Sequence, residues 1–242
     1  MSINSVVKSS GVVCFLDLLG AKGGWRDAEN MISLWDELFD QLNGLSTYLE
    51  TEYSTKPTSY SFSDSIVITA PFNKADKKEV FYNLSGLIAF MFSKFVTNRL
   101  LLRGCISVGD YYTSKARRML IGPAIDEAVQ YHALAEWCGV SLCPSAHLFA
   151  DENPLPDFWA VINYPIPLKG IIENDGIALK WVDGQDPDEV RTIRGVLVDK
   201  LKNSTDVTAS LKLRNTINFI DYVVSKEAKP SSDVLSNVEK AL

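Results

Sequence analysis

The chain has 242 residues, 46% of them hydrophobic and 22% charged, which suits one globular domain with or without an extension and excludes wholesale disorder. Asp and Glu outnumber Lys and Arg by 30 to 24, a net charge of −6. No strong positive field is available for a nucleic-acid backbone or an anionic membrane surface, so neither is an expected partner.

Four cysteines (Cys14, Cys105, Cys138, Cys143) and two histidines (His132, His147) are present. Two cysteines fall in apolar runs, where a thiol packs as a small hydrophobe. Two histidines cannot make a three-histidine zinc site. Cys138, Cys143 and His147 fall short of the four closely spaced ligands of a structural one. The apolar run at 12–19 is short and carries Asp17, so it reads as neither signal peptide nor membrane helix, and the cytoplasm is the expected location.

In chain order, residues 12–17 (VVCFLD) read as a buried strand ending in Asp17, followed by a turn with Gly20, Gly23 and Gly24. Met31, Leu34, Trp35, Leu38, Phe39 and Leu42 recur at helical spacing. Strands at 57–62 and 66–70 flank Ser63-Asp64-Ser65, a hairpin. A long amphipathic helix spans 75–98, and a fourth strand spans 101–109 with Arg103 inside it. A polar excursion at 111–118 leads to a short strand at 119–121. Gly122-Pro123 opens a helix over 124–138, and further strands are expected at 140–143, 158–162 and 177–182. Helices are expected at 186–202 and 208–224, with a polar tail from 225 onward. This is an α+β pattern: a ferredoxin-like or polymerase-palm βαββαβ core over residues 1–183 and a helical extension over 184–242, packed on the same domain.

No P-loop, nucleophile elbow or dinucleotide-binding glycine pattern occurs. What stands out is a pair of carboxylates. In a palm-like sheet the end of the first strand lies beside the tip of the next hairpin, so Asp17 and Asp64 come together. Two carboxylates make a hard, oxygen-rich site suited to Mg²⁺ or Mn²⁺. Backbone amides from Leu18 through Leu19 to Gly20, entering a helix, are candidate donors to phosphate oxygens. Arg103 is also unusual: a charge among apolar neighbours must be paired or face a cleft.

These residues resemble class III nucleotide cyclases. Phe15-Leu16-Asp17-Leu18-Leu19-Gly20 is similar to the family's first metal motif, and Phe62-Ser63-Asp64-Ser65-Ile66 to its second. The strand from Arg103-Gly104 to Gly109, the helix start Gly122-Pro123-Ala124, and Leu168-Lys169-Gly170 resemble later segments in the right order. The Arg-Gly strand and the Gly-Pro-Ala start look closest to bacterial pyrimidine cyclases of the Pycsar antiphage systems. The resemblance implies a class III-type core and two ions, Mn²⁺ or Mg²⁺, held by Asp17, Asp64 and the Leu18 carbonyl, with Lys169 on phosphate. It implies a homodimer with sites shared between chains, one chain giving the carboxylates and the other the base and ribose contacts. It also implies a product that signals to a separate effector.

The positions that hold purine-reading groups in the family carry Tyr60 and Met119 here. The family's transition-state Asn and Arg map to Asp126 and Gln130, so the candidates for the missing cation are Arg103, Arg117 and Arg118. The expected reaction is cyclisation of UTP, or alternatively CTP, with Arg103 as a base-edge donor. The rivals are a non-catalytic nucleotide-binding relative and a palm-fold nucleotidyltransferase that joins two nucleotides.

Overall fold

The computed structural model describes residues 6–19, 28–73, 76–114, 116, 118–155, 158–170 and 174–227. Its core is a β1(Val7–Leu18), α1(Ala28–Tyr53), β2(Thr58–Phe62), β3(Ser65–Pro71), α2(Lys77–Thr97), β4(Leu102–Ser114) unit. There follow β5(Met119–Ile121), α3(Pro123–Leu134), β6(Val140–Leu142), α4(Pro144–Glu152), β7(Val161–Asn163), β8(Ile177–Leu179), α5(Pro187–Lys202) and α6(Val207–Glu227). The strands form one sheet in the order β2-β3-β1-β4-β6-β8-β7, with β5 paired to β4. The first four are antiparallel in the order 2-3-1-4, as the βαββαβ pattern predicts, and β6 joins β4 in parallel.

Alternation along β1 sorts its side chains onto two faces. Val12, Cys14 and Leu16 join Ile66 and Ile68 of β3 and the buried faces of α1 and α2 in the main core. Val13 faces the other way, into a smaller cluster with Cys105, Tyr111, Ala124, Ala128 and Cys143 beneath α3. Among the described residues one helix, α2, is long and apolar enough to cross a membrane, yet 61% of its apolar window is buried inside the fold. It is the central core helix, carrying Phe81, Leu84, Ile88, Phe92 and Phe95 inward, each side chain stabilising the fold by about 1.5–3 kcal/mol.

Gly104 has a steric reason. A Cβ there would lie 2.4 Å from the Phe15 carbonyl oxygen and 2.6 Å from the Leu16 side chain. Only glycine lets β4 approach β1 this closely beside Arg103. Gly122 precedes α3 with φ +140°, and a Cβ there would meet Tyr111 Cα at 2.7 Å. Pro123 at the first helical position presets the helix that follows.

Three expectations need correction. Residues 111–114 are not a polar excursion: β4 continues to Ser114, because Tyr111 is buried and pairs with Ser9 of β1. The helix expected to 138 stops at Leu134. Ala135 is extended and bridges to Leu168, which frees Trp137 to pack edge-on against Phe219 of α6. The strands expected over 158–162 and 177–182 shrink to three residues each, β7 and β8.

Asp186 caps α5 by accepting from the Asp188 and Glu189 amides, with Pro187 at the first position. α5 and α6 then bury Ile193, Leu197, Leu213, Phe219, Ile220 and Val223 in the main core. A further tie is the Cys138 amide, which donates to Thr216 Oγ1 at 2.8 Å. The final residues of the expected tail, 228–242, lie outside the described residues.

Candidate active site

Register builds the site. One row across the sheet is Phe62 (β2), Ser65 (β3), Asp17 (β1) and Arg103 (β4), and the next is Tyr60, Val67, Phe15 and Cys105. Residues opposite each other on paired strands share a face, so Asp17, Arg103, Tyr60 and Phe62 all stand on the face that α3 covers. α3 runs back along β4: Ser107 Oγ donates to the Ala124 carbonyl near the helix start, and His132 near its end reaches Asp17.

Asp17 is the hub. Ser65 Oγ donates to its Oδ1 at 3.2 Å. Arg103 Nε and Nη2 both donate to its Oδ2 at 3.3 Å. His132 Nε2 stands 4.0 Å from Oδ2, and the His132 ring lies against Phe15 with centroids 4.3 Å apart. Burial, and then the Arg103 cation, hold His132 below the usual imidazole range, against the pull of Asp17. The Asp17 and Arg103 side chains are 19% and 16% exposed, so the pair is mostly shielded from water.

Asp64 sits in the two-residue turn between β2 and β3, partly buried. Its neighbour Ser63 has φ +56°, the left-handed region that a tight hairpin demands. The Asp64 carbonyl accepts from the Leu18 amide at 3.0 Å, which clamps the turn to the last residue of β1. The backbone thus sets the hairpin tip that carries Asp64 beside the end of β1, one residue past Asp17, as the sequence led one to expect.

The amide expectation is corrected. The Leu18 amide is engaged by Asp64, and the Leu19 amide donates to the Leu101 carbonyl at 2.7 Å. Neither is left for phosphate, because the β1–β4 pairing extends one residue past the strand end. Gly20 and Arg117 lie outside the described residues. Lys169 is exposed at the C-terminal end of α3, its Nζ donating to the Ala133 carbonyl at 2.9 Å.

The remaining expected base and ribose residues are placed elsewhere. Met119 opens β5 opposite Ser114, and Arg118 precedes it, exposed. Arg103 and Ser114 are eleven residues apart on β4, roughly 35 Å along an extended strand. Asp126, in the first turn of α3, and Gln130 are both exposed. The face thus has two poles: Asp17, Asp64, Arg103, His132 and Lys169 at one end, Met119 and the start of α3 at the other. Arg103 belongs to the carboxylate pole of its own chain, which corrects the expectation that it faces Asp17 from a second chain. Tyr60, one row from Asp17, stands on the same side, and burial raises its hydroxyl pKa.

Sequence reasoning missed His132, Ser65 as a partner of Asp17, and Phe62, which is 86% exposed on the site face. The only signal for Phe62 was an aromatic at the hairpin tip; His132 gave none.

The chemistry of the expected donors, the Asp17 and Asp64 carboxylates and the Leu18 carbonyl, all oxygen, suits a divalent hard cation; of the Asp64 residue the structure fixes the backbone beside the end of β1. Among the described residues no group of three or more His, Cys, Asp or Glu comes together. A site here resembles those in which one or two carboxylates share the ion with substrate phosphates rather than closing around it alone.

No protein-family model and no curated protein matches the sequence. Among solved structures, the chain is similar to the catalytic core of a rhodopsin-guanylyl cyclase with converted specificity in complex with ATPαS. The TM-score is 0.48 at 10% identity, covering 72% of this chain and 97% of that one. It is also similar to the adenylyl cyclase CyaB from P. aeruginosa, with a TM-score of 0.47 at 14% identity over 72% and 94%. An adenylate/guanylate cyclase/hydrolase from Silicibacter pomeroyi gives 0.43 at 13% identity over 72% and 96%.

Proposed function

We propose that this chain is a nucleotide cyclase, converting UTP, or in second place CTP, to the 3′,5′-cyclic monophosphate and pyrophosphate. The observation that carries the reading is the carboxylate pole. Asp17 and the Asp64 turn are tied together at the end of β1 and flanked by Arg103. In the reaction the ribose 3′-oxygen bonds to the α-phosphorus, the bond from that phosphorus to the β-phosphate oxygen breaks, and the 3′-proton leaves to solvent or a nearby base.

Asp17, Asp64 and the Leu18 carbonyl would hold Mn²⁺ or Mg²⁺, two ions in the family resembled, which lower the pKa of the 3′-hydroxyl and neutralise the departing pyrophosphate. Arg103, which donates to Asp17, would turn onto phosphate oxygens when a nucleotide arrives and take the part of the missing transition-state arginine. Ser65 orients the Asp17 carboxylate through Oδ1. Tyr60 narrows the same face against a two-ring base.

The two poles favour a homodimer. Met119 lies too far along β4 from Asp17 for one nucleotide to touch both in one chain, and Asp126 and Gln130 stay exposed. A two-fold axis across this face would set the Met119 pole of one chain against the carboxylate pole of its partner. By resemblance to the antiphage pyrimidine cyclases, the product would act as a second messenger on a separate effector in the cytoplasm. Incubation with UTP, CTP, ATP and GTP in Mn²⁺, with products identified by mass, tests the reading. The non-catalytic alternative gives nucleotide binding without product, and the nucleotidyltransferase gives dinucleotides.

A further inference from the structure

A cavity of 360 Å³ opens where α5 turns into α6. Its floor is Leu19, Leu101 and Cys138, the ends of the segments leading out of β1 and into β4 and β6. Leu19 and Leu101 are joined backbone to backbone, each two residues along from Asp17 and Arg103. The cavity therefore adjoins the carboxylate pole at the same end of the sheet.

Its rim is cationic. Lys200 near the end of α5 and Lys212 in α6 both line it, with the hydroxyl residues Ser204 and Thr208 between them. Among the described lining residues the one acid is Asp206, which accepts from the Ala209 amide and so caps α6. Burial pushes the Cys138 thiol up to about 11, against the pull of the Thr216 hydroxyl and the nearby cations Lys212, Lys200 and Arg103. Lys212 is held below the ordinary lysine range by burial, then by Arg103 and Lys169, with Glu136 opposing. A partly buried cation pressed by like charges is a group that an incoming polyanion stabilises.

We propose that this cavity binds a polyphosphate chain, with Lys200 and Lys212 as its anion contacts. The two C-terminal helices then form part of the ligand site as well as bracing the core. Assigning the chain to a nucleotide or to its pyrophosphate product rests on the cyclase reading; the anion site itself does not.

The test is calorimetric titration of the full chain with inorganic pyrophosphate in EDTA, against sulfate at matched ionic strength. Wild type should bind pyrophosphate in preference to sulfate. Lys200→Gln/Lys212→Gln should weaken it at least about tenfold, the scale of losing one charge-assisted contact. Lys200→Arg/Lys212→Arg should keep it. Lys212→Gln removes a charge that the fold disfavours, so thermal stability should not fall, and a melt verifies folding. A wild type that prefers sulfate or binds neither, or a Gln variant that binds as tightly as wild type, overturns the site. The pyrophosphate titration in EDTA needs neither metal nor turnover, so failure of the cyclase reading leaves the result interpretable. Repeating the titration with UTP distinguishes the sources. A parallel loss of UTP affinity in the Gln variant assigns the site to the substrate's β- and γ-phosphates, and loss of pyrophosphate alone assigns it to the product.

Discussion

Arg103→Met should destabilise the metal-free protein and tighten its hold on Mn²⁺. The guanidinium makes two contacts at 3.3 Å to one Asp17 oxygen. At that separation the gross attraction is about 5 kcal/mol for an effective dielectric of 20. Removing one partner from a fully buried pair costs about 3–5 kcal/mol, and an exposed pair is worth less than about 1. This pair is 16% and 19% exposed, and its bonds are long, so the loss should fall between, at about 2 kcal/mol. For a chain of this size that lowers Tm by about 4–8 °C. The same contact must open before Asp17 can accept a cation through Oδ2. Its removal should therefore tighten Mn²⁺ binding by up to roughly thirtyfold, the equivalent of about 2 kcal/mol. Urea unfolding in EDTA and again in Mn²⁺ reads both effects: the variant should be weaker in EDTA and recover more than wild type on adding metal. Equal stability in EDTA with an equal response to Mn²⁺ would refute the competition between guanidinium and metal.

Asp17→Asn and Asp64→Asn should each abolish turnover and the stabilisation by Mn²⁺ while leaving the far-ultraviolet dichroism of the fold intact. Gly104→Val should cost about 1–3 kcal/mol, since its Cβ meets the Phe15 carbonyl at 2.4 Å, and chemical denaturation should show the loss together with lower activity. If sites are shared, Asp17→Asn chains mixed with Asp126→Ala/Gln130→Ala chains should regain cyclase activity once heterodimers are verified. Asp17→Asn mixed with Arg103→Met should not, because both residues serve the same pole of one chain; activity from that second mixture alone would contradict the placement.

The βαββαβ core was readable because its signals are local: apolar runs, a Ser-Asp-Ser hairpin and two amphipathic helices. The nearness of Asp17 to the Asp64 turn followed from that topology. The Asp17–Arg103 pair did not, since it depends on the β1–β4 register, which Gly104 permits by its missing side chain but no local pattern announces. His132 joins the site only because α3 folds back along β4. The tail of β4 was misread because Thr113 and Ser114 look like loop residues, although Tyr111 anchors them in the sheet. Lys200 and Lys212 look like ordinary helix charges, and only the packing of α5 and α6 beside Leu19 and Cys138 brings them to one cavity.

The central claim is cyclisation at the carboxylate pole, and the most direct measurement of it is product identification by mass spectrometry. Purified protein, wild type and Asp17→Asn, is incubated with UTP, CTP, ATP and GTP in Mn²⁺. The account predicts cyclic UMP and pyrophosphate from wild type, less cyclic CMP, little purine product, and none of these from Asp17→Asn. Dinucleotide products, no product from any triphosphate, or a cyclic product undiminished in Asp17→Asn would contradict it.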